Sequence, residues 1–512
     1  MSNKTVIIPK PLSIEEIGNT FIMQTQSVSI HIEGKFSEDT RKKIQTAFYI
    51  AGVKTSEDGF PVYIEINSSN DNEQINTRDE SYSLQTSEER IIIKAEECSG
   101  AFYGCISAAQ MISAYKGTMQ AVLIKDNPTF CWRGFLLDTC RSFYSTAFIK
   151  KMLDACALYK LNVFHWHLTD DQGWRFKVPE LPMLTEMGSK RQDATVPEAE
   201  EGFYDEGNVF RRWYTDEEIK DIIHYAQDRC IMVVPEVEFP GHASALLAAY
   251  PKYGCTGGPY NVENRWGIFP DVLCLGNDNI FTMFKTIIQR VTKLFPSEYI
   301  HIGGDECIPE RWSECPKCRA RMKKEGLESP AQLQAWGTSK VAAMVKELGK
   351  TPIGWDEILD NNEHNKLPDN VIVQSWRGTK GGVKAASMNH KVIMSPCEFF
   401  YLNLKNKDSF EEPGRLGVTT LKKTYSFSPV CSELKSQEQR KLILGGECAL
   451  WTEKLPHSRN AEYLLFPRFC AAAESLWCSE EEKNFENFKP RVEIHKQLLH
   501  KLDYRFYEGE LE

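Results

Sequence analysis

The chain reads as an α/β protein: a (β/α)8 TIM barrel over residues 128–512 that ends in a C-terminal helix, preceded by a smaller α+β accessory domain over residues 1–127. Three observations predict this. At 512 residues the chain is well beyond the ~250 at which a single hydrophobic core stops growing, so a large and a smaller domain are expected. After Asn127-Pro128, eight short apolar runs alternate with helical periodicity, the rhythm of parallel strands joined by crossover helices. Most of those runs end in polar residues, as the strands of barrel enzymes do at the face that carries their chemistry.

The elements follow in order. Alternating polar and apolar positions predict strands over residues 27–32, 61–66, 81–85 and 90–95, and helices over 37–51 and 99–114. No catalytic constellation stands out there, so a supporting role is expected. The barrel strands are expected at 134–141, 162–171, 231–242, 299–306, 351–357, 370–378, 391–402 and 442–453. Between them, 215–230 opens Thr215-Asp216-Glu217-Glu218, an N-cap followed by acids that complement the helix dipole. Apolar residues at three-to-four spacing mark 279–295, which stops before Pro296. The link 403–441 is long and lacks a clear helical pattern, so an irregular connection is expected there.

Composition narrows the function. Hydrophobic residues at 42% and charged residues at 26% are an ordinary globular balance. A net charge of -10 argues against nucleic acid or an anionic membrane as the main partner. The start lacks the apolar core of about 7–15 residues that a signal peptide needs, and no apolar run approaches the ~20 residues of a membrane span. A cytoplasmic protein, or the trimmed form of an exported, periplasmic or lysosomal one, is expected. Sixteen cysteines are scattered along the chain, several inside apolar runs (Cys140, Cys156, Cys230, Cys397, Cys470), which suits buried thiols in a reducing compartment. Cys315-Pro316-Lys317-Cys318 has zinc-ligand spacing, but no second such pair or nearby histidine completes a set. The expectation is therefore no metal and no cofactor.

The polar strand ends hold the chemistry: Asp138 and Arg141; Asp170 and Asp171; Glu238 and His242; Asp305 and Glu306; Trp355, Asp356 and Glu357; Tyr401; Trp451 and Glu453. One such end is a solvated turn, whereas seven together predict a catalytic rim. The sharpest motif is His301-Ile302-Gly303-Gly304-Asp305-Glu306. Glycosidic cleavage usually needs two carboxyl groups across the bond, about 5–5.5 Å apart for retention or ~6.5–9.5 Å for inversion. Adjacent residues of an extended chain point to opposite sides, so Asp305 and Glu306 are not expected to face each other across a bond. That suggests a substrate bringing its own nucleophile. Trp336, Trp355, Trp376 and Trp451 all fall in the second half of the barrel, and indole faces stack on sugar rings and can enclose a methyl group.

The stretches Trp132-Arg133-Gly134 to Arg141, His165-Trp166-His167-Leu168-Thr169-Asp170-Asp171-Gln172-Gly173-Trp174-Arg175, Pro235-Glu236 to Phe239-Pro240-Gly241-His242, Gly303-Gly304-Asp305-Glu306, Gly354-Trp355-Asp356-Glu357 and Trp451-Thr452-Glu453 resemble the family 20 glycoside hydrolases, the β-N-acetylhexosaminidases. They span the barrel in order, and residues 1–127 are similar to that family's accessory domain. The resemblance implies hydrolysis of a terminal N-acetylhexosamine by a retaining, substrate-assisted route. Glu306 would protonate the leaving oxygen, and the acetamido oxygen would attack the anomeric carbon. Asp305 would stabilise the acetamido N–H and Tyr401 the acetamido oxygen. Trp336, Trp355 and Trp451 would wall the methyl pocket, Arg141 and Glu453 would bind hydroxyls, and Asp170 and His242 would form a polar chain to Glu306.

One position departs from the family's common Tyr-X-Asp: here it is Tyr401-Leu402-Asn403. A neutral amide removes a charge that would repel an anionic group near the outer hydroxyls; two like charges at ~4 Å cost about 4 kcal/mol at an effective dielectric of 20. Tolerance of 6-sulfated N-acetylglucosamine is the resulting expectation, with Lys405 and Lys407 as assisting or merely solvated charges. Two rival readings are a metal hydrolase built on His165-Trp166-His167, disfavoured by their mid-strand position, and a non-catalytic sugar-binding protein. Asp356 and Glu357 are expected to be strand-end salt-bridge partners and His301 a packing residue. The insertion 190–212, with Phe203, Tyr204 and Phe210, is expected to shape the outer subsite. Oligomeric state and the choice between N-acetylglucosamine and N-acetylgalactosamine are left open.

Overall fold

The computed structural model describes residues 6–34, 36–68, 75, 78–115, 117–191, 210–361 and 367–512. Most of the insertion thought to shape the outer subsite (192–209, with Phe203 and Tyr204) lies outside the described residues, as does any account of the Phe210 side chain.

The N-terminal part is a six-stranded mixed sheet in the order β1-β6-β4-β5-β3-β2. Its strands are β1 (Ser13–Ile22), β2 (Val28–Gly34), β3 (Phe60–Ile66), β4 (Tyr82–Thr86), β5 (Ile91–Ala95) and β6 (Thr118–Asp126). The four strands expected from alternation are β2 to β5; β1 and β6 carry no such signal. Helix α1 (Glu38–Ile50) is capped by Ser37, whose hydroxyl accepts from Thr40 N–H, and α2 (Cys98–Tyr115) packs beside it. The sheet is joined to the barrel by buried polar contacts. Lys160 pairs with Asp126 at 3.1 Å, and Arg133 with Glu80 at 2.7 Å.

Eight parallel strands close the barrel in chain order: Trp132–Asp138, Val163–His167, Met232–Glu236, Tyr299–His301, Thr351–Trp355, Ile372–Ser375, Lys391–Met394 and Ile443–Leu450. Each overlaps an expected run, and apart from Asp138 and Trp355, which close the first and fifth strands, the predicted rim residues sit beyond the barrel strands. The barrel floor is an apolar layer that includes Trp132, Val234, Tyr299, Ile353, Ile372 and Leu444. Helix Asp216–Gln227 has the anticipated cap, with Thr215 and Glu218 forming a reciprocal capping box. Helix Asn279–Leu294 buries Ile280, Phe284, Ile287, Ile288 and Val291 on one stripe. The link before the eighth strand is irregular, holding the short helices Leu421–Ser426 and Gln437–Lys441 and a small two-stranded sheet of Leu404–Lys405 with Arg415–Val418. Among the described residues no helix is long and apolar enough to cross a membrane.

Candidate active site

Directly above the floor, the barrel interior is charged. Glu236 accepts from Trp355 Nε1 at 2.8 Å, lies 2.8 Å from His301 Nδ1 and 3.2 Å from His165 Nε2, and is hydrogen-bonded to His167 Nδ1. Glu447 meets His165 Nδ1 at 2.7 Å and accepts from Gln374 Nε2 at 2.8 Å. Burial alone would raise the Glu236 carboxyl, but His301, His167 and His165 hold it well below the usual range. The histidines of the His-X-His pair thus act as countercharges to buried carboxylates, and His301 is a packing partner as expected.

The Gly303-Gly304-Asp305-Glu306 motif departs from the geometry expected of it. The strand ends at His301, and the chain then turns through left-handed conformations at Gly303 (φ 65°), Gly304 (φ 107°) and Glu306 (φ 45°). Gly303 is needed for space as well as conformation, since a Cβ there would fall 1.9 Å from Glu238 Oε2. Glu306 and His242 (φ 44°) are strained non-glycine residues, a state that costs about 1–3 kcal/mol each and clusters at functional sites. The turn brings Asp305 and Glu306 to one side rather than opposite sides. His242 Nε2 lies 3.5 Å from Asp305 Oδ2 and 3.6 Å from Glu306 Oε2. Gln334 Nε2 donates to Gly304 O at 2.9 Å and pins the turn.

Behind His242, its Nδ1 meets Asp171 Oδ2 at 2.8 Å and Asp170 Oδ1 at 3.4 Å. The expected relay through Asp170 therefore has Asp171 as its nearer member. Burial opposes charge on His242, but Asp170, Asp171 and Asp305 raise its pKa well above the ordinary value, so it is an imidazolium at neutral pH. Asp170 also pairs with Arg141 at 2.7 Å and with His167 at 2.8 Å. Arg141 is fixed further by Asp138 at 3.3 Å and by donating from Nε to Gln172 Oε1 at 2.9 Å. Its charge acts on the half-buried Glu453, which burial nevertheless holds above the usual carboxylate range.

Beside the carboxylates is an aromatic group of Trp355, Tyr401 and Trp451, with Trp376 against it. Tyr401 stacks on Trp376 with ring centroids 6.1 Å apart and planes 10° apart, and Trp355 and Trp451 are 5.9 Å apart. Trp336 is not there. It sits on helix Pro330–Glu347, edge-on to Phe281 at 5.3 Å and under Arg321, so its placement in the methyl pocket is corrected. Trp376, one residue past the sixth barrel strand, takes the fourth place. The strand-end rule that selected the other rim residues could have found it.

The two acids after Trp355 divide in role. Asp356 is buried and structural, pairing with Arg377 Nε at 2.6 Å. Glu357 is, as expected, a salt-bridge partner, 3.7 Å from Arg377 Nε, and it also accepts from Trp376 Nε1 at 2.9 Å. Burial, with the charges of Asp305 and Asp356, pushes its pKa up to about 9. Glu238 is also buried, its carboxyl oxygens have no hydrogen-bond partner, and burial with Asp305 raises it well above the usual range. Burial thus favours the neutral form of both, and both stood among the strand-end acids expected at the rim, although neither was given a catalytic or sugar-binding role. Asn403 is 1% exposed, and neither atom of its amide has a partner among the described residues. Lys405 turns away, donating to Ser409 O at 2.7 Å, while Arg415, whose N–H donates to Asn403 O at 2.8 Å, exerts its charge on Glu306 and Glu453.

The cysteines bring a further correction. Cys255 and Cys274, far from Cys315 and Cys318 in sequence, complete a four-sulfur cluster with them, although nothing was expected to complete that set.

A family model for the catalytic domain of glycosyl hydrolase family 20 matches residues 130–480, and one for domain 2 of that family matches residues 4–127. A beta-hexosaminidase of Porphyromonas gingivalis is 38% identical over 427 residues, covering 81% of this chain and 53% of the relative. One from Vibrio furnissii is 34% identical over 357 residues, covering 69% of this chain and 58% of the relative. The chain thus spans little more than half the length of these two relatives. Among solved structures, a GH20 exo beta-N-acetylglucosaminidase from Vibrio harveyi in complex with N-acetylglucosamine is similar with a TM-score of 0.85 at 26% identity, covering 99% of this chain and 79% of that one. A beta-N-acetylhexosaminidase from Bacteroides fragilis is similar with a TM-score of 0.79 at 29% identity, covering 99% of both chains. With its barrel and its N-terminal sheet both matched, the chain belongs to glycosyl hydrolase family 20.

Proposed function

We propose that the chain is an exo-acting β-N-acetylhexosaminidase that removes a terminal N-acetylglucosamine or N-acetylgalactosamine with retention, using the substrate's acetamido oxygen as nucleophile. The observation that carries this reading is the convergence of Asp305 and Glu306 on one imidazolium beside an aromatic box. Two carboxylates on the same side of a sugar cannot act as acid and opposed nucleophile. They can act as a proton donor and as a partner for the acetamido N–H. Asp305 has the free capacity for that role, since its buried Oδ1 has no partner. Tyr401 orients the acetamido oxygen, Trp355, Trp376 and Trp451 enclose the methyl group, and Arg141 with Glu453 binds hydroxyls.

Glu306 is set the wrong way in the empty site. Burial raises its carboxyl, but His242, Arg141 and Arg415 outweigh that and leave it below the ordinary value. A proton donor needs the opposite. Substrate supplies it: a sugar ring covering the half-exposed Glu306 removes water, and desolvation favours the neutral acid.

On 4-nitrophenyl N-acetyl-β-glucosaminide, Glu306→Gln is expected to lose about 10²–10⁴-fold in kcat/KM where leaving-group protonation matters. Brief exposure to a chelator in the assay is expected to leave the wild-type rate unchanged. A Glu306→Gln protein that keeps its rate, or a wild type silenced at once by chelator, refutes the reading.

The unpaired amide of Asn403 and the nearby charge of Arg415 favour a finer specificity, tolerance of a 6-sulfated sugar. Asn403→Asp is expected to lower the rate on a sulfated aryl glycoside about tenfold relative to the plain one, a charge effect of about 1.4 kcal/mol. Equal relative rates remove this part of the proposal and leave the hydrolase intact.

A further inference from the structure

Outside the active site, four thiols from three separate segments meet at one point. Cys255 follows the turn Pro251–Tyr253, Cys274 lies in the loop before helix Asn279–Leu294, and Cys315 and Cys318 open helix Pro316–Glu325. The Sγ atoms of Cys274 and Cys318 are 3.6 Å apart, those of Cys274 and Cys315 3.7 Å, and those of Cys255 and Cys318 3.8 Å. A disulfide requires about 2.0 Å, so no pair is bonded. Sulfurs at the corners of a tetrahedron around zinc, with Zn–S about 2.3 Å, are separated by about 3.8 Å. These three separations match such a tetrahedron before any metal is placed in it, and all four sulfurs lie within 4.8 Å of one another.

We propose that Cys255, Cys274, Cys315 and Cys318 form a structural zinc(II) site. All four donors are protein sulfurs and three of the residues are buried, the closed arrangement of a structural rather than a catalytic centre. Zinc binding displaces the four thiol protons to solvent and leaves a tetrathiolate of net charge about −2. The N-terminal dipole of helix Pro316–Glu325, with Lys317 and Arg319 in its first turns, offsets that charge.

The position of the site gives it a purpose. It ties the loop after the third barrel strand, which carries His242, to the segment after the fourth, which carries Glu306. The same loop then runs along the rim: Glu263 N–H donates to Asp171 O at 2.9 Å, and Gln172 Nε2 donates to Arg265 O at 2.8 Å. Gln172 is the residue that accepts from Arg141. The bridge between Gly254 and Leu273 closes the excursion at its base, beside the cysteines. Zinc therefore holds the rim in register, without touching the sugar.

The full chain, purified under reducing conditions, is tested by elemental analysis, by titration of released metal after thiol modification, and by cobalt(II) exchange. About one zinc per chain is expected, and the cobalt form should show the visible absorption bands of a tetrahedral tetrathiolate centre. Cys274→Ser and Cys318→Ser are expected to retain less than about a tenth of that zinc and to melt at lower temperature, whereas Cys431→Ser, elsewhere in the fold, keeps both. Should the serine variants fail to fold, the cobalt spectrum of the wild type decides alone. Failure to take up zinc after reconstitution, iron in its place, or intact mass showing the four thiols joined as two disulfides overturns the proposal. None of these readouts depends on hydrolytic activity.

Discussion

Two layers of carboxylates stand one above the other in this barrel, and they are treated in opposite ways. In the interior, Glu236 is surrounded by His165, His167, His301 and the indole of Trp355, and it is held ionised. At the rim, Glu238 has no hydrogen-bond partner among the described residues and Glu357 has only the Trp376 indole and a more distant Arg377, so burial raises both, while Asp305 and Glu306 share a single imidazolium at ion-pair distance. Burial penalises charge in both places, and the difference lies in the number of donors supplied. A fully partnered buried carboxylate holds a structure together, whereas an under-partnered one at a cleft is available to a ligand.

The largest effect expected from breaking this contrast is on stability. Glu236→Gln removes the charge that the imidazoliums of His165 and His167 balance, and a loss of about 3–5 kcal/mol in unfolding free energy is expected. Denaturant titration showing less than about 1 kcal/mol would mean that the interior network is not electrostatic.

A smaller effect separates the two tryptophans. Trp376→Ala opens the aromatic group and frees Glu357, and is expected to lower kcat/KM about tenfold, close to the 1.4 kcal/mol of a lost ring contact. Trp336→Phe should leave kcat/KM within about twofold, because its contacts are with Phe281 and Arg321. If the two variants change kcat/KM equally, the pocket has been misplaced.

The smallest effect is in the pH dependence. Burial opposes charge on His165 and His167, but Glu447 and Glu236 raise them to about 9 and about 10. Folded values above the ordinary ~6.5 mean that this stabilisation is complete below about pH 6.5, declines above it, and is gone once pH passes through 9–10. Glu357 adds to the same fall, since its folded value of about 9 lies above that of the unfolded carboxyl. Melting temperature should therefore drop between pH 6.5 and 10. Glu357→Gln, which mimics the neutral acid, should flatten the curve. An unchanged slope would place the Glu357 proton elsewhere.

Much of the fold could be read from residue order because apolar periodicity is a local property. All eight barrel strands lie where the apolar runs are, and the Thr215 cap works as its spacing implies. Strand β1 escaped notice because nearly all of it is exposed, leaving no alternation to detect. The paired acids, the relay histidine and three of the four aromatic residues followed from the strand-end rule and from family resemblance. Trp336 and Trp376 could not be told apart by resemblance, since both are large residues in the right half of the barrel. Only the distinction between a helix and a strand end separates them.

By itself, the sequence determined the barrel, the acids that line its mouth and the family to which the chain belongs, because these rest on periodicity and contiguous motifs. Tertiary structure alone decided that Asp305 and Glu306 face the same way, since left-handed turns override the alternation of an extended chain. It alone decided which carboxylates are pushed toward the neutral form, because desolvation and countercharge come from residues on different strand ends. The four cysteines are the clearest case: their segments are scattered in the chain, and only the packing of two barrel loops brings the sulfurs to tetrahedral separation.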